Sequence, residues 1–339
     1  MSLTLEIERP LLMDITFVAD YGSHTVKHAC FSKFDKTLGV DVGVSETPSV
    51  AYVEDALDIV LLGRHLAELL SNSCPEDSGL TLSLLTDVLL PQRKRELILK
   101  CCFEYLDAKR VFLGYAAATA LFSAGETTGM SIDVGYCGVR FVPVVHGIVQ
   151  TSLCAAVQSV GARATDCVLS RYLPEAEEPL LWALKSSACW VGEEAVALPS
   201  RLTLPDGNSL PFPLSYAVCK EAGEALLFHT PHISAPFAVH HAYQKSLIEF
   251  SSLNQWVLVG GASVVRGVRE VFRGALSHAV SPSHVTPRRL QVKAPMHAAL
   301  SGGVIVSQLS SFKGMCVHAA EYAEEGPHRC IHLKAVDGR

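Results

Sequence analysis

Phe17-Val-Ala-Asp-Tyr-Gly-Ser-His24 and Met130-Ser-Ile-Asp-Val-Gly-Tyr-Cys-Gly138 are two apolar runs that each end in an Asp-x-Gly turn. An apolar run closed by Asp and Gly reads as a strand entering a hairpin, with a carboxylate and backbone N–H groups at its tip. Two such tips facing each other can hold a phosphate chain and its metal between them. One tip alone reads as an ordinary turn. The weight comes from the pair, and from the third glycine turn that follows in Val257-Leu-Val-Gly-Gly-Ala-Ser263.

The rest of the chain suits a large α/β protein. Its 339 residues are 49% hydrophobic, enough for a sizeable core and, by length, about two domains. No apolar stretch reaches the roughly 18 to 20 residues that span a bilayer, and no basic-then-apolar leader opens the chain, so a soluble, intracellular protein is expected. The 11 cysteines are scattered without a Cys-x-x-Cys pair, which points to reduced core thiols rather than zinc or a disulfide framework. A net charge of -6 argues against direct nucleic-acid binding, and Arg93-Lys-Arg95 and Arg288-Arg289 read as solvated faces. His229, His232, His240 and His241 lack the spacing and partners of a metal cluster. Cys101-Cys102 reads as half core, half surface, and Trp182 and Trp190, at helical spacing, as packing aromatics.

Strand-like runs at 15–19, 26–31 and 80–85 precede helix-like stretches at 92–105 and 116–124. From Met130 the pattern restarts, with strands at 131–133 and 139–145 and helices near 162–172 and 180–190. The expected fold is therefore α/β, two related mixed-sheet halves with helices around a central cleft. The first half spans 1–130 and is rejoined by 300–339; the second spans 131–299.

This order of motifs resembles the actin superfamily. Asp20-Tyr-Gly-Ser23 with Lys27 is similar to the first phosphate loop of actins, and Thr127 to Gly135 with Val142-Pro-Val-Val-His-Gly147 to the second loop and its return strand. Gly161 to Leu173 resembles the helix that follows, Lys185-Ser-Ser-Ala-Cys-Trp190 the nucleotide-side helix, Leu204-Pro-Asp-Gly207 a hairpin, and Val259 to Gly267 the adenosine loop. Ser301-Gly-Gly303, Leu309 to Met315 and Glu321 to Pro327 resemble the C-terminal helices. The resemblance implies a nucleotide site built from Asp20, Gly22, Ser23, Lys27, Asp133, Gly135, Gly161, Lys185, Gly260 and Gly261. In that site Asp20 and Asp133 would face magnesium if ATP or ADP binds.

The departures from the pattern bear on activity. Actins position the attacking water with a glutamine and a histidine; those places fall on Ala116 and Arg140, and neither side chain can do that work. Tyr136, Cys137 and His24 add side chains where the backbone must approach phosphate. Ser186 and Val265 replace groups that hold ribose and base. The expectation is a hydrolytically inactive protein that holds ATP or ADP with magnesium weakly or not at all.

The interval 51–81 contains only one helix-like piece, 59–70, where actins carry a small subdomain with a filament-gripping loop. A protomer with one competent end caps a filament rather than extending it. The same trimming, and the Asp133-Val-Gly-Tyr136 loop, resemble the actin-related subunit at the pointed end of dynactin. A cytoplasmic, cytoskeletal scaffold that docks on an actin-like filament end or in a multi-subunit complex is the leading expectation. A functional ATPase of the wider actin, chaperone and sugar-kinase superfamily, or a nuclear actin-related subunit of a chromatin complex, are the alternatives.

Overall fold

The computed structural model describes residues 14–32, 44–53, 56–75, 79–193, 197–204, 206–230, 233–280 and 286–334. The first half opens with the hairpin β1 (Asp14–Tyr21) and β2 (Thr25–Ser32), joined at its outer edge by β3 (Ser45–Pro48). A ribbon of two short strands, β4 (Tyr52–Val53) and β5 (Ala56–Leu57), leads into helix α1 (Ile59–Ser73). Asp58 starts this helix by accepting hydrogen bonds from the N–H groups of Val60 and Leu61. Next come β6 (Gly79–Thr86), α2 (Gln92–Glu104), β7 (Arg110–Tyr115) and α3 (Ala116–Ser123). Strand β6 lies parallel to β1, and β7 parallel to β6.

The second half repeats this plan. Strands β8 (Gly129–Val134) and β9 (Val139–Val145) form an antiparallel hairpin, extended by β10 (Ile148–Val149) and β11 (Ala155–Val157). Helices α4 (Ala162–Tyr172) and α5 (Glu178–Ser187), the hairpin β12 (Arg201–Thr203) and β13 (Ser209–Pro211), and α6 (Tyr216–Ala225) build a side lobe. Its small core contains Val168, Leu169, Leu184, Leu202 and Ala222. After β14 (Phe228–Thr230), β15 (Ile233–Ser234) and α7 (Ala235–Glu249) the chain re-enters the sheet as β16 (Gln255–Val259), parallel to β8. It continues through α8 (Val268–Ala279) to β17 (Arg288–Arg289), parallel to β16. Each half is thus a hairpin with two further strands added in parallel beside its first strand.

The chain ends its described part with α9 (Ala298–Gln308), α10 (Phe312–Met315), β18 (Val317–His318), which pairs with β7, and α11 (Ala319–Lys334), broken at Gly326-Pro327. The first sheet is buried on both faces. Phe17, Ala19 and Leu82 face the cluster holding Leu66 of α1 and Ile98 and Leu99 of α2, while Val18, Ala29 and Leu85 face Leu300 and Val306 of α9. Helix α3 does the converse. It follows the first sheet, yet Ala118, Ala120 and Leu121 pack on Val142, Val144 and Val257 of the second. Where α3 and α9 cross, Gly302 lies so close to the Thr119 carbonyl that any Cβ would collide with it.

The interval 51–81, expected from the sequence to be trimmed, contains β4, β5, α1 and the first residues of β6 among the described residues. Three readings require correction. Arg95, read with Arg93 and Lys94 as a solvated face, is buried and donates to the Tyr115 hydroxyl at 2.6 Å. Helix α5 stops at Ser187, so Trp190 is not on it. Trp190 is fully buried beyond the cap at Ala188 and bridges to Arg266, whereas Trp182 is 51% exposed rather than packed. His232 and Pro205, named in the sequence reading, lie outside the described residues. Among the described residues no group of His, Cys, Asp and Glu could hold a metal by itself, and no helix is long and apolar enough to cross a membrane.

Candidate functional site

A cleft of about 880 Å³ lies between the halves. It is lined by Asp20, Gly22, Ser23 and Lys27 from the first hairpin, Asp133 and Gly135 from the second, Lys185 of α5, and Gly260 and Gly261 after β16. Gly161 is placed behind the second loop instead. Its positive φ of 107° carries the chain under that loop, and a Cβ there would strike the carbonyls of Gly135 and Tyr136. The first N–H groups of α4 accordingly serve the loop: Ala162 donates to the Gly135 carbonyl and Arg163 to that of Tyr136.

The two hairpins carry the same device. Asp20 stands directly across from Lys27, and Asp133 directly across from Arg140, seven residues on in each case. The pairing of Asp133 with a cation was not singled out from the sequence, although the equal spacing was there to be read. Burial pushes the Asp20 carboxyl above its usual range, with Lys27 and His297 pulling the other way. Burial likewise pushes Asp133 up to about 6 against the pull of Arg140, with Asp20 and Asp87 adding to the rise.

Arg140 reaches across the cleft. Its Nε donates to Oδ2 of Asp87, just past the end of β6, so a cation on the second sheet is held by a carboxylate on the first. Burial disfavours its charge, but Asp87 and Asp133 more than offset this and hold the guanidinium firmly protonated. Ala116, at the start of α3, lines the same floor and offers no side-chain hydrogen bond.

A second contact crosses nearer the mouth. His24 of the first loop stacks on Tyr136 of the second, ring centroids 4.3 Å apart and planes 19° apart, and its Nε2 lies 2.7 Å from Glu178 of α5. The Lys185 ammonium lies 5.8 Å from the Tyr136 ring and forms an ion pair with Asp166 at 2.7 Å. A further pair, His297 to Glu46 at 3.1 Å, joins the turn before α9 to β3.

Three of the turn glycines have their N–H groups engaged. Gly22 donates to the Thr25 carbonyl and Gly135 to the Gly138 carbonyl, closing their own turns, and Gly260 donates to Pro295. Gly261, in contrast, faces open space. The N–H groups of Gly22, Gly135 and Gly260 are thus used within the protein, as is the Arg140 guanidinium on Asp87. The half-buried carboxylates Asp20 and Asp133 are the part of the arrangement that could face a cation.

Comparison with known proteins bears on the fold and the family. The actin family profile matches residues 235–336, from α7 through α11. Rat actin-like protein 7A is 24% identical over 261 residues, covering 70% of this chain and 58% of that protein. Mouse actin-like protein 9 is 26% identical over 264 residues, covering 70% of this chain and 61% of that protein. The chain thus spans about three fifths of the length of these relatives. Two related α/β halves about a cleft, together with these matches, make this an actin-like fold. The similarities support an actin-related protein.

Proposed function

We propose that this chain is an actin-related structural protein that does not hydrolyse ATP and that docks by one end onto an actin-like filament or into a larger complex. The observation that carries the first part is Arg140. It occupies the place where an actin would hold its water-orienting histidine, and its guanidinium is spent on Asp87 across the cleft. A permanently charged donor cannot accept a proton from water, and Ala116 opposite supplies no second ligand for it. A phosphate chain would further have to part the His24–Tyr136 stack. ATP or ADP with magnesium is therefore held weakly or not at all.

Release of phosphate from ATP and magnesium by the purified chain tests this reading, alongside chromatography of nucleotide freed on denaturation. Turnover no faster than buffer is expected; turnover that Asp133→Ala abolishes would refute it.

One-ended docking rests on the interval 51–81, reduced to a short ribbon and α1. A heterologous contact propagates only if each unit offers both complementary surfaces. The trimming and the Asp133-Val-Gly-Tyr136 loop favour the resemblance to the pointed-end subunit of dynactin, and with it a cytoplasmic, cytoskeletal place. Sedimentation with magnesium, salt and ATP is the trial. A monomer that stays in the supernatant is expected; long two-stranded filaments of the pure chain would sink the proposal.

A further inference from the structure

Cys30 and Cys74 lie away from the cleft floor and play no part in the reading above. Cys30 sits on β2, where the ladder pairs it with Phe17, and Cys74 caps the C-terminus of α1, its N–H donating to the Leu70 carbonyl at 2.8 Å. Both backbones are thus fixed by regular structure. The two sulfurs are 3.3 Å apart and hydrogen-bonded to each other, although 44 residues separate them in the chain. Both are only partly buried, at the edge of the cluster that contains Leu66, Leu69 and Leu70. Cys154, Cys316 and Cys330, by contrast, donate to backbone carbonyls, and Cys167 is exposed on α4.

We infer that Cys30 and Cys74 form a dithiol site that a hydroperoxide oxidises to an intramolecular disulfide. Sulfur–sulfur contact at this distance leaves a movement of about 1.3 Å to bonding. One thiol loses its proton, and its sulfur attacks the terminal peroxide oxygen. The O–O bond breaks, and the departing alkoxide or hydroxide takes up that proton. The resulting sulfenic acid is attacked by the second sulfur, which loses its own proton, and water leaves. In sum, two thiols and one hydroperoxide give one disulfide, one alcohol (or water) and one water, the sulfurs supplying two electrons. The hydrogen bond between the sulfurs, in which either can be the donor, favours the thiolate at the acceptor, and that sulfur is the first nucleophile. The new bond closes a loop that contains β3, β4, β5 and α1, most of the trimmed interval, and fastens the end of α1 to the first sheet.

The test uses the full chain, reduced, desalted and then exposed to dilute hydrogen peroxide. Remaining thiols are alkylated, and the unreduced digest is read by mass spectrometry. A linked Cys30–Cys74 peptide is expected as the main product, with the chain lighter by about 2 Da before alkylation and restored by dithiothreitol. Cys167→Ser should form the bond unchanged, and Cys30→Ser should lose it. Wild-type chain in which Cys30 and Cys74 are both still alkylated after Cys167 has been oxidised would overturn the inference. So would a linked peptide that forms only in urea. The deciding readout is on the wild-type chain, so it holds even if a variant folds poorly.

Discussion

Asp133→Asn should stabilise this protein at neutral pH. The Asp133 carboxyl is pushed from 3.8 up to about 6 in the folded chain by burial, with Arg140 opposing and Asp20 and Asp87 adding to the rise. The folded state therefore holds this proton more tightly than the unfolded state. Stability tied to Asp133 is greatest below 3.8, declines as pH rises through the interval to about 6, and is fully lost above it. At about 1.4 kcal/mol per pH unit that interval corresponds to about 3 kcal/mol. Asp133 borders the open cleft, and water reaching it from there reduces the penalty, so about 1–2 kcal/mol is the working figure. Asparagine keeps the shape and an acceptor oxygen but not the charge, and Arg140 retains Asp87. Urea unfolding followed by the fluorescence of buried Trp190 and Trp256 should show the variant ahead of wild type at about pH 7.5, with the lead shrinking by about 1 kcal/mol at about pH 5. A variant weaker than wild type at neutral pH, or a lead equal at both values, would refute the reasoning. The first would mean that the ion pair with Arg140 outweighs the cost of burying the carboxylate, and the second that Asp133 does not titrate between the two pH values.

Gly302→Ala should cost about 3 kcal/mol or more, because its Cβ meets the Thr119 carbonyl and forces α3 and α9 apart; thermal melting checks this. Trp190→Ala should lose about 3–5 kcal/mol of stability while Trp182→Ala changes it by less than about 1, a contrast that urea midpoints would expose. A hydrogen bond with His328 holds the Glu96 carboxyl below its usual range, helped by Gln92 and Arg93. Its contribution is present above the unfolded value and is lost as pH falls through the folded one, so acid well below pH 4.5, or Glu96→Gln at neutral pH, should speed proteolysis of α11, where His328 sits.

The elements that the sequence announced are those with their own periodicity and punctuation. Strand β9 and helix α4 fall on the residues expected, because Val139 to Val145 is rich in β-branched and aromatic residues, with Arg140 as its one charge, and α4 begins at a glycine turn. The turn at Gly22 was legible for the same local reason. Trp190 was not. Its spacing from Trp182 looks helical, and only the long-range bridge to Arg266 decides that the helix has already ended. The contacts that close the cleft were hidden in the same way. Arg140 and Asp87 lie 53 residues apart and on different sheets, and no local pattern in the chain links His24 with Tyr136. What the sequence suggested, through the resemblance, was the loss of residues suited to hydrolysis. That Arg140 is held by Asp87 and His24 is stacked on Tyr136 became visible only once the two halves were set face to face.

The exchange of α3 and α9 between the sheets has a consequence for the order in which the chain can fold. Strand β7 ends at Tyr115, but the helix that covers Val18, Ala29, Leu85 and Phe112 begins only at Ala298. At ribosomal speeds of about 5–20 residues per second, that apolar face stays open for roughly ten to forty seconds after its own strands have been made. The second sheet, which finds α3 already synthesised, has no such wait. The half made first is therefore the last to be sealed, and until α9 arrives it presents an apolar surface that other chains can reach.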